Sequence, residues 1–190
     1  MKIFFLDLET TGTDREKHGI HQISGAIVIN GEVKEHFNFR VRPHPSALID
    51  FKALEVCGIT FNQIQQYPEM PVVFSNIVNI ISKYTTIDDD KDKFFIAGYN
   101  SQSFDGGHFA KWFQRNSNLK LFNKSFWTVS LDVMILAQSY LMNVRHEMEN
   151  FKQNTVARKL GIEVDDSKLH DAEYDIDLCM SIYNIVCGKY

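Results

Sequence analysis

Two carboxylates interrupt an otherwise apolar run at the start of the chain, Lys2-Ile3-Phe4-Phe5-Leu6-Asp7-Leu8-Glu9-Thr10-Thr11-Gly12, and that interruption narrows the possible folds and chemistry together. The run has the composition of a buried strand. Side chains of a strand alternate faces, so Asp7 and Glu9 share one face, roughly 7 Å apart along the chain, behind Ile3 and Phe5. A carboxylate is seldom fully buried alone, because desolvating its charge is costly unless a cation or several donors compensate. Hard divalent cations such as Mg²⁺ and Mn²⁺ prefer oxygen ligands and supply that compensation. The same residues also read as an edge strand ending in a solvated Asp-x-Glu turn, and the stretch alone leaves both readings open.

The 190 residues fit one domain with a sizeable core, so 1–190 is read as a single unit. The 15 Phe point to aromatic packing in that core. No apolar run is long enough to cross a bilayer, and no signal-like segment precedes the first strand, so an intracellular, cytoplasmic protein without a membrane partner is expected. The three cysteines, Cys57, Cys179 and Cys187, show no metal-binding spacing and read as core filler. A formal net charge of −4 argues against a broad basic surface for duplex nucleic acid. It leaves room for an enzyme whose bound cations supply the local positive field at a strand end.

After a polar loop from Thr13 to Gly19, an apolar run extends from Ile20 to Ile29, and Asn30-Gly31 marks a hairpin. Val33, Phe37, Phe39 and Val41 continue as a third strand, which predicts an antiparallel meander. His18 and His21 lie near its active end and read as incidental loop residues. Pro43 and Pro45 close the meander. Thr60-Phe61-Asn62-Gln63 has the form of a capping box. Val73, Phe74, Ile77, Ile80, Ile81 and Tyr84 then recur at helical spacing. Asp88-Asp89-Asp90 reads as a solvated loop.

Phe94 to Tyr99 predicts a short buried strand, which hands over through Asn100-Ser101-Gln102-Ser103-Phe104-Asp105 to a helix with Phe109, Trp112 and Phe113 facing inward. Asp105 thus sits at a strand end, where sites in α/β sheets collect, although it could equally cap the helix. Phe126 to Val129 is a further strand candidate, Leu131 to Met142 reads as a helix, and Gln153 to Leu160 as a short helix ended by Gly161. In the last helix Ala172, Leu178, Cys179, Ile182, Ile185 and Val186 form an apolar stripe, and Asp175 falls on it. An acid on a buried face calls for backbone or Tyr donors or for a metal. His170 is placed on the loop before that helix, free to swing over the site.

Taken together, Asp7-x-Glu9, Asn100-x-x-x-Phe104-Asp105 and His170-x-Ala172-x-x-Asp175 resemble the three motifs of DnaQ-like 3′-to-5′ exonucleases of the DEDDh class, which includes the epsilon subunit of bacterial DNA polymerase III. Gly58-Ile59-Thr60 and Leu131-Asp132 followed by Leu136-Ala137 extend the similarity over nearly the whole chain. The spacing from Gly98-Tyr99-Asn100 to Phe104-Asp105 is similar to that of bacterial exonuclease I. Where the family usually has His before Gly-Ile-Thr, this chain has Cys57.

The resemblance implies an RNase H-like α/β fold with a five-stranded mixed sheet flanked by helices. It implies two divalent ions, Mg²⁺ or Mn²⁺, held about 4 Å apart by Asp7, Glu9, Asp105 and Asp175. In that scheme Asp7 bridges the ions, Glu9 and Asp175 hold the one that binds the attacking water, Asp105 supports the other, and His170 is the general base. Nucleoside 5′-monophosphates would leave the 3′ end of single-stranded DNA. Thr10, Thr11 and Gly12 would offer backbone groups to the terminal nucleotide, with Tyr99, Asn100 and Phe104 lining its approach.

A chain ending at Tyr190 leaves no room for a polymerase domain or docking tail, which favours a stand-alone trimming or repair nuclease over one working with a polymerase partner. An RNA 3′-end trimmer with the same residues is the nearest alternative. A non-catalytic module that binds nucleic-acid ends is the alternative of a different class, and loss of one of the five residues would have favoured it.

Overall fold

The computed structural model describes residues 1–169 and 171–188. Strand β1 (Lys2–Thr10) is the centre of a five-stranded mixed sheet. It pairs antiparallel with β2 (Ile20–Ile29), which pairs antiparallel with β3 (Glu32–Arg40). On its other side β1 pairs in parallel with β4 (Phe95–Gly98), and β4 pairs in parallel with β5 (Leu131–Asp132). The order is β3-β2-β1-β4-β5. The predicted meander is present, and its β2–β3 hairpin turns through Asn30 at φ 52° and Gly31 at φ 82°. Two consecutive positive φ values give the twist that matches right-handed strands.

The helices are α1 (Phe51–Val56), α2 (Phe61–Gln65), α3 (Met70–Tyr84), α4 (Asp105–Arg115), α5 (Leu119–Ser125), α6 (Val133–Tyr140), α7 (Gln153–Lys159) and α8 (Ala172–Val186). Thr60 caps α2 with both bonds of the capping box, and Gly161 follows α7 at φ 78°, as the sequence predicts. No helix among the described residues is long and apolar enough to cross a membrane.

Alternation along β1 divides the core in two. Phe4, Leu6 and Leu8 face a cluster built with α3, α4 and α5, in which Val73, Ile77, Phe109, Trp112, Phe113 and Leu121 are buried. The ring of Phe4 lies 5.0 to 5.8 Å from those of Phe37, Phe94, Phe109 and Phe126. Each such fully buried side chain contributes about 1.5–3 kcal/mol by leaving water. Gly25 permits this packing, since a Cβ there would lie 2.0 Å from the Phe5 carbonyl and 2.5 Å from the Phe37 ring. On the other face, Ile3 and Phe5 pack with Val133, Ala137, Val156, Ile176, Leu178 and Ile182 of α6, α7 and α8.

The fifth strand differs from the expectation. Phe126 makes only an isolated bridge to Phe94, and the ordered pairing falls on Leu131–Asp132 instead. Two forces displace it. The Phe126 ring is drawn into the aromatic cluster beside Phe4, and Ser130 is held aside by the Gln102 side chain, through its amide at 3.0 Å and its hydroxyl at 2.7 Å. Helix α6 starts at Val133, two residues later than predicted, because the Asp132 carboxylate caps it from the end of β5.

Candidate active site

Three elements bring the four predicted acids to one end of the sheet. Asp7 and Glu9 stand on the face of β1 shared with Ile3 and Phe5, the face covered by α8. Asp175 lies in the first turn of α8 and is half-buried. Asp105 arrives from the opposite face as the first residue of α4. The N-cap of α4 is Phe104, which makes no side-chain capping bond. Asp105 instead accepts the Leu8 backbone N–H at 3.1 Å, just beyond the last β1–β4 pair, Phe5 with Ala97. A helix on one layer is thereby pinned to the strand that carries the other acids.

The acids repel one another. Burial pushes the Asp7 carboxyl well above its usual range, and the charges of Asp105, Glu9 and Asp175 push it the same way. No basic group is among those influences, so ionised Asp7 is uncompensated among the described residues. Asp105, 5% exposed, is also raised, by burial first and with the Leu8 N–H pulling against it. A set of converging carboxylates with no basic group among the described residues against Asp7 has the donor chemistry that a hard divalent ion requires.

Asp132 is an acid whose role the motif reading missed. It is 5% exposed, and its carboxylate accepts four backbone N–H groups: Asn100 at 3.2 Å, Gln102 at 3.0 Å, Met134 at 3.0 Å and Ile135 at 3.4 Å. The turn that leads into Asp105 is thus tied to the start of α6. Asp132→Ala removes a cap and strands buried donors, and a loss of about 3 kcal/mol is expected. A urea midpoint equal to that of the wild type would refute this role.

The loop after β1 is held from within. Gly12 has φ 149°, and a Cβ there would lie 2.6 Å from the His18 ring. Thr11 is fully buried, its N–H donating to the Gly19 carbonyl and its own carbonyl accepting from Asp50, both at 2.8 Å. Its hydroxyl donates to Leu48 O and accepts from Gly19 N. Thr11 therefore braces the loop, with both its backbone groups and its hydroxyl engaged within the chain. The Thr10 hydroxyl donates to the Gly12 carbonyl at 2.9 Å.

Tyr99, Asn100 and Asp175 line one cavity of about 630 Å³, together with Phe151, Gln153 and Leu169 among others. Tyr99 is fixed there by a 2.6 Å bond from its hydroxyl to the Phe151 carbonyl, and Asn100 takes a left-handed conformation, φ 62°. Phe104 lies outside that lining, its ring centroid 4.3 Å from that of His108. His170 lies outside the described residues.

Two further residues were misread from sequence. Cys57, at the end of α1, is no core filler: its thiol donates to Glu9 Oε2 at 3.0 Å. Burial, with the Glu9 bond adding to it, pushes that thiol up to about 12. His21 is not in a loop but within β2, where it is fully buried, and burial with the Arg40 charge lowers it to about 4. The sequence signal for both was an unexpected residue type, Cys where His is usual and His inside an apolar run.

A family model described as exonuclease, RNase_T, matches residues 4–183. Among solved structures, exonuclease I of E. coli in complex with a dT13 oligonucleotide is 22% identical with a TM-score of 0.73, over 99% of this chain and 41% of that one. A moderately thermophilic exonuclease I from Methylocaldum szegediense is 18% identical with a TM-score of 0.73, over 97% of this chain and 40% of that one. The chain thus spans less than half the length of either, and the likeness extends through an RNase H-like fold. No curated protein sequence matches the chain.

Proposed function

The chain belongs to the exonuclease family whose model spans residues 4–183, and on that premise we propose that it removes nucleoside 5′-monophosphates from the 3′ end of single-stranded DNA. The observation that carries this reading is the mutual repulsion of Asp7, Asp105, Glu9 and Asp175, acids drawn from both layers of the fold. Solved relatives of the same fold are bound to single-stranded DNA oligonucleotides, which supports that substrate class.

Asp7, Glu9, Asp105 and Asp175 would hold two divalent ions, Mg²⁺ or Mn²⁺. When bound, such ions supply a Lewis acid, an activated water and a counter-charge for the leaving oxygen. The Leu8 N–H bond fixes the Asp105 carboxylate before any ion arrives. Tyr99 and Asn100, on the wall shared with Asp175, would orient the terminal nucleotide. A flat aromatic wall accepts any base, so little sequence preference is expected. His170, in the sequence just ahead of α8, would take the proton of the attacking water, a role suited to neutral imidazole near neutral pH.

The test is a time course on 5′-labelled single-stranded DNA and RNA of one sequence in Mn²⁺. A ladder descending one nucleotide at a time on DNA is the expected result. A faster ladder on RNA would reassign the enzyme to RNA 3′-end trimming. No shortening of either would leave a protein that binds ends without cutting them.

A further inference from the structure

Beside the acids, β2 and the end of α1 bring together three donors of a different character. The Glu9 carboxylate, a His21 ring nitrogen and the Cys57 sulfur all lie within 4.8 Å of one another. His21 is 0% exposed, and neither ring nitrogen has a hydrogen-bond partner among the described residues. A neutral imidazole carries one donor and one acceptor, so burial strands both, at a cost of about 1–3 kcal/mol each. The backbone makes room for this. Glu9 pairs with Gln22 but Thr10 with Ile20, which leaves His21 as the extra residue of a β-bulge. Bulges re-aim side chains beside functional sites.

We propose that Glu9, His21 and Cys57 form a binding site for Zn²⁺ or a similar borderline cation, sharing Glu9 with the all-carboxylate centre. Thiolate, imidazole and carboxylate together suit zinc and cobalt, whereas Mg²⁺ and Mn²⁺ favour oxygen alone. Three protein ligands leave a fourth position for water. Donors around tetrahedral zinc sit roughly 3.3–3.8 Å apart. Closing from the present separations therefore takes side-chain rotation on the scale of an ångström, with Cys57 already 3.0 Å from Glu9. The thiol binds as thiolate and gives its proton to water, with no change of oxidation state. Arg40 is the opposing charge nearby, and its guanidinium is turned over the Tyr67 ring, 5.6 Å from the centroid.

The site has a consequence for catalysis. An ion on Cys57 and His21 takes Glu9 away from the hard-ion centre, so zinc acts as an inhibitor that excess Mg²⁺ relieves poorly. That consequence rests on the exonuclease reading; the binding does not.

Co²⁺ titration of the whole chain, followed by absorption, reads the site without reference to activity. A near-ultraviolet thiolate-to-cobalt band is expected in the wild type and in Asp7→Asn. It should be absent in Cys57→Ser, whose Zn²⁺ affinity by chelator competition should fall at least about 100-fold, since even the outer partners of metal ligands cost 10–100-fold. Circular dichroism of Cys57→Ser, expected to match the wild type, checks that the variant is folded. No band in the wild type overturns the site, whatever the nuclease assay shows. A band that survives in Cys57→Ser, or that vanishes in Asp7→Asn, overturns it too, by placing the metal on another thiol or in the acid centre. In the Mg²⁺-supported ladder, Zn²⁺ should slow the wild type relative to its own zinc-free rate and slow Cys57→Ser much less. Equal slowing would refute the sharing of Glu9, and absence of any ladder would refute the exonuclease reading while leaving the cobalt result intact.

Discussion

Asp7→Asn is expected to lower the proposed exonuclease turnover by at least about 1,000-fold, the scale on which removal of a preorganised electrostatic group acts, while the protein stays folded. The substitution is nearly isosteric, and the Asp7 side chain makes no hydrogen bond or ion pair among the described residues on which the fold depends. What it removes is the charge on which the other three acids converge. The measurement is single-turnover cleavage of 5′-labelled DNA in saturating Mn²⁺, beside a urea denaturation curve. Turnover within tenfold of the wild type would sink the assignment of Asp7 as the central ligand. A loss of turnover with a collapsed urea midpoint would show a folding defect instead.

The second large effect is on stability and involves no substrate. Asp7 has a folded pKa raised above its unfolded value of about 3.9. The folded state therefore binds more protons than the unfolded one between those two values, and stability falls as pH rises through that window. Below the unfolded value the penalty is absent, and above the raised value it is complete. Metal-free Asp7→Asn should accordingly melt above the metal-free wild type, by a margin that opens as pH climbs past about 4 and then levels off. Mg²⁺ held at Asp7 would bind the folded state alone. At 100 times its Kd it adds about 2.7 kcal/mol, a rise in Tm of about 5–10 °C for a domain of this size. The increment should grow with pH in the wild type and largely vanish in Asp7→Asn. A Mg²⁺ increment independent of pH, or undiminished in the mutant, would contradict the placement of the ions at Asp7.

Features carried by short-range pattern were legible in the sequence. The alternation in β1 put Asp7 and Glu9 behind Ile3 and Phe5, and the structure has them on that face, under α8. Asn30-Gly31, the Thr60 box and the stripe of α3 are likewise local, and each forms as expected. Features that depend on distant partners were not legible. A strand of two residues has no period, so β5 is visible only through Ala97 and Gly98 beside it. Asp132 reads as one more acid until the turn at Asn100 and Gln102 is folded against it. Cys57 reads as a small apolar residue until α1 carries it to Glu9. His21 looks like a loop residue because a bulge changes the register by one, and no periodicity announces that.

The acid set is divided between the two layers of the molecule, with Asp105 entering from one and Asp175 from the other. This has a meaning during synthesis. A nascent chain can pair β1 to β4 and dock α4 while still on the ribosome, yet it lacks a wall of the cavity and the fourth carboxylate until α8 has emerged. A growing polypeptide that already displays Asp7, Glu9 and Asp105 therefore still lacks Asp175, one of the acids that act on Asp7. On the exonuclease reading proposed above, chain order makes cleavage wait for α8.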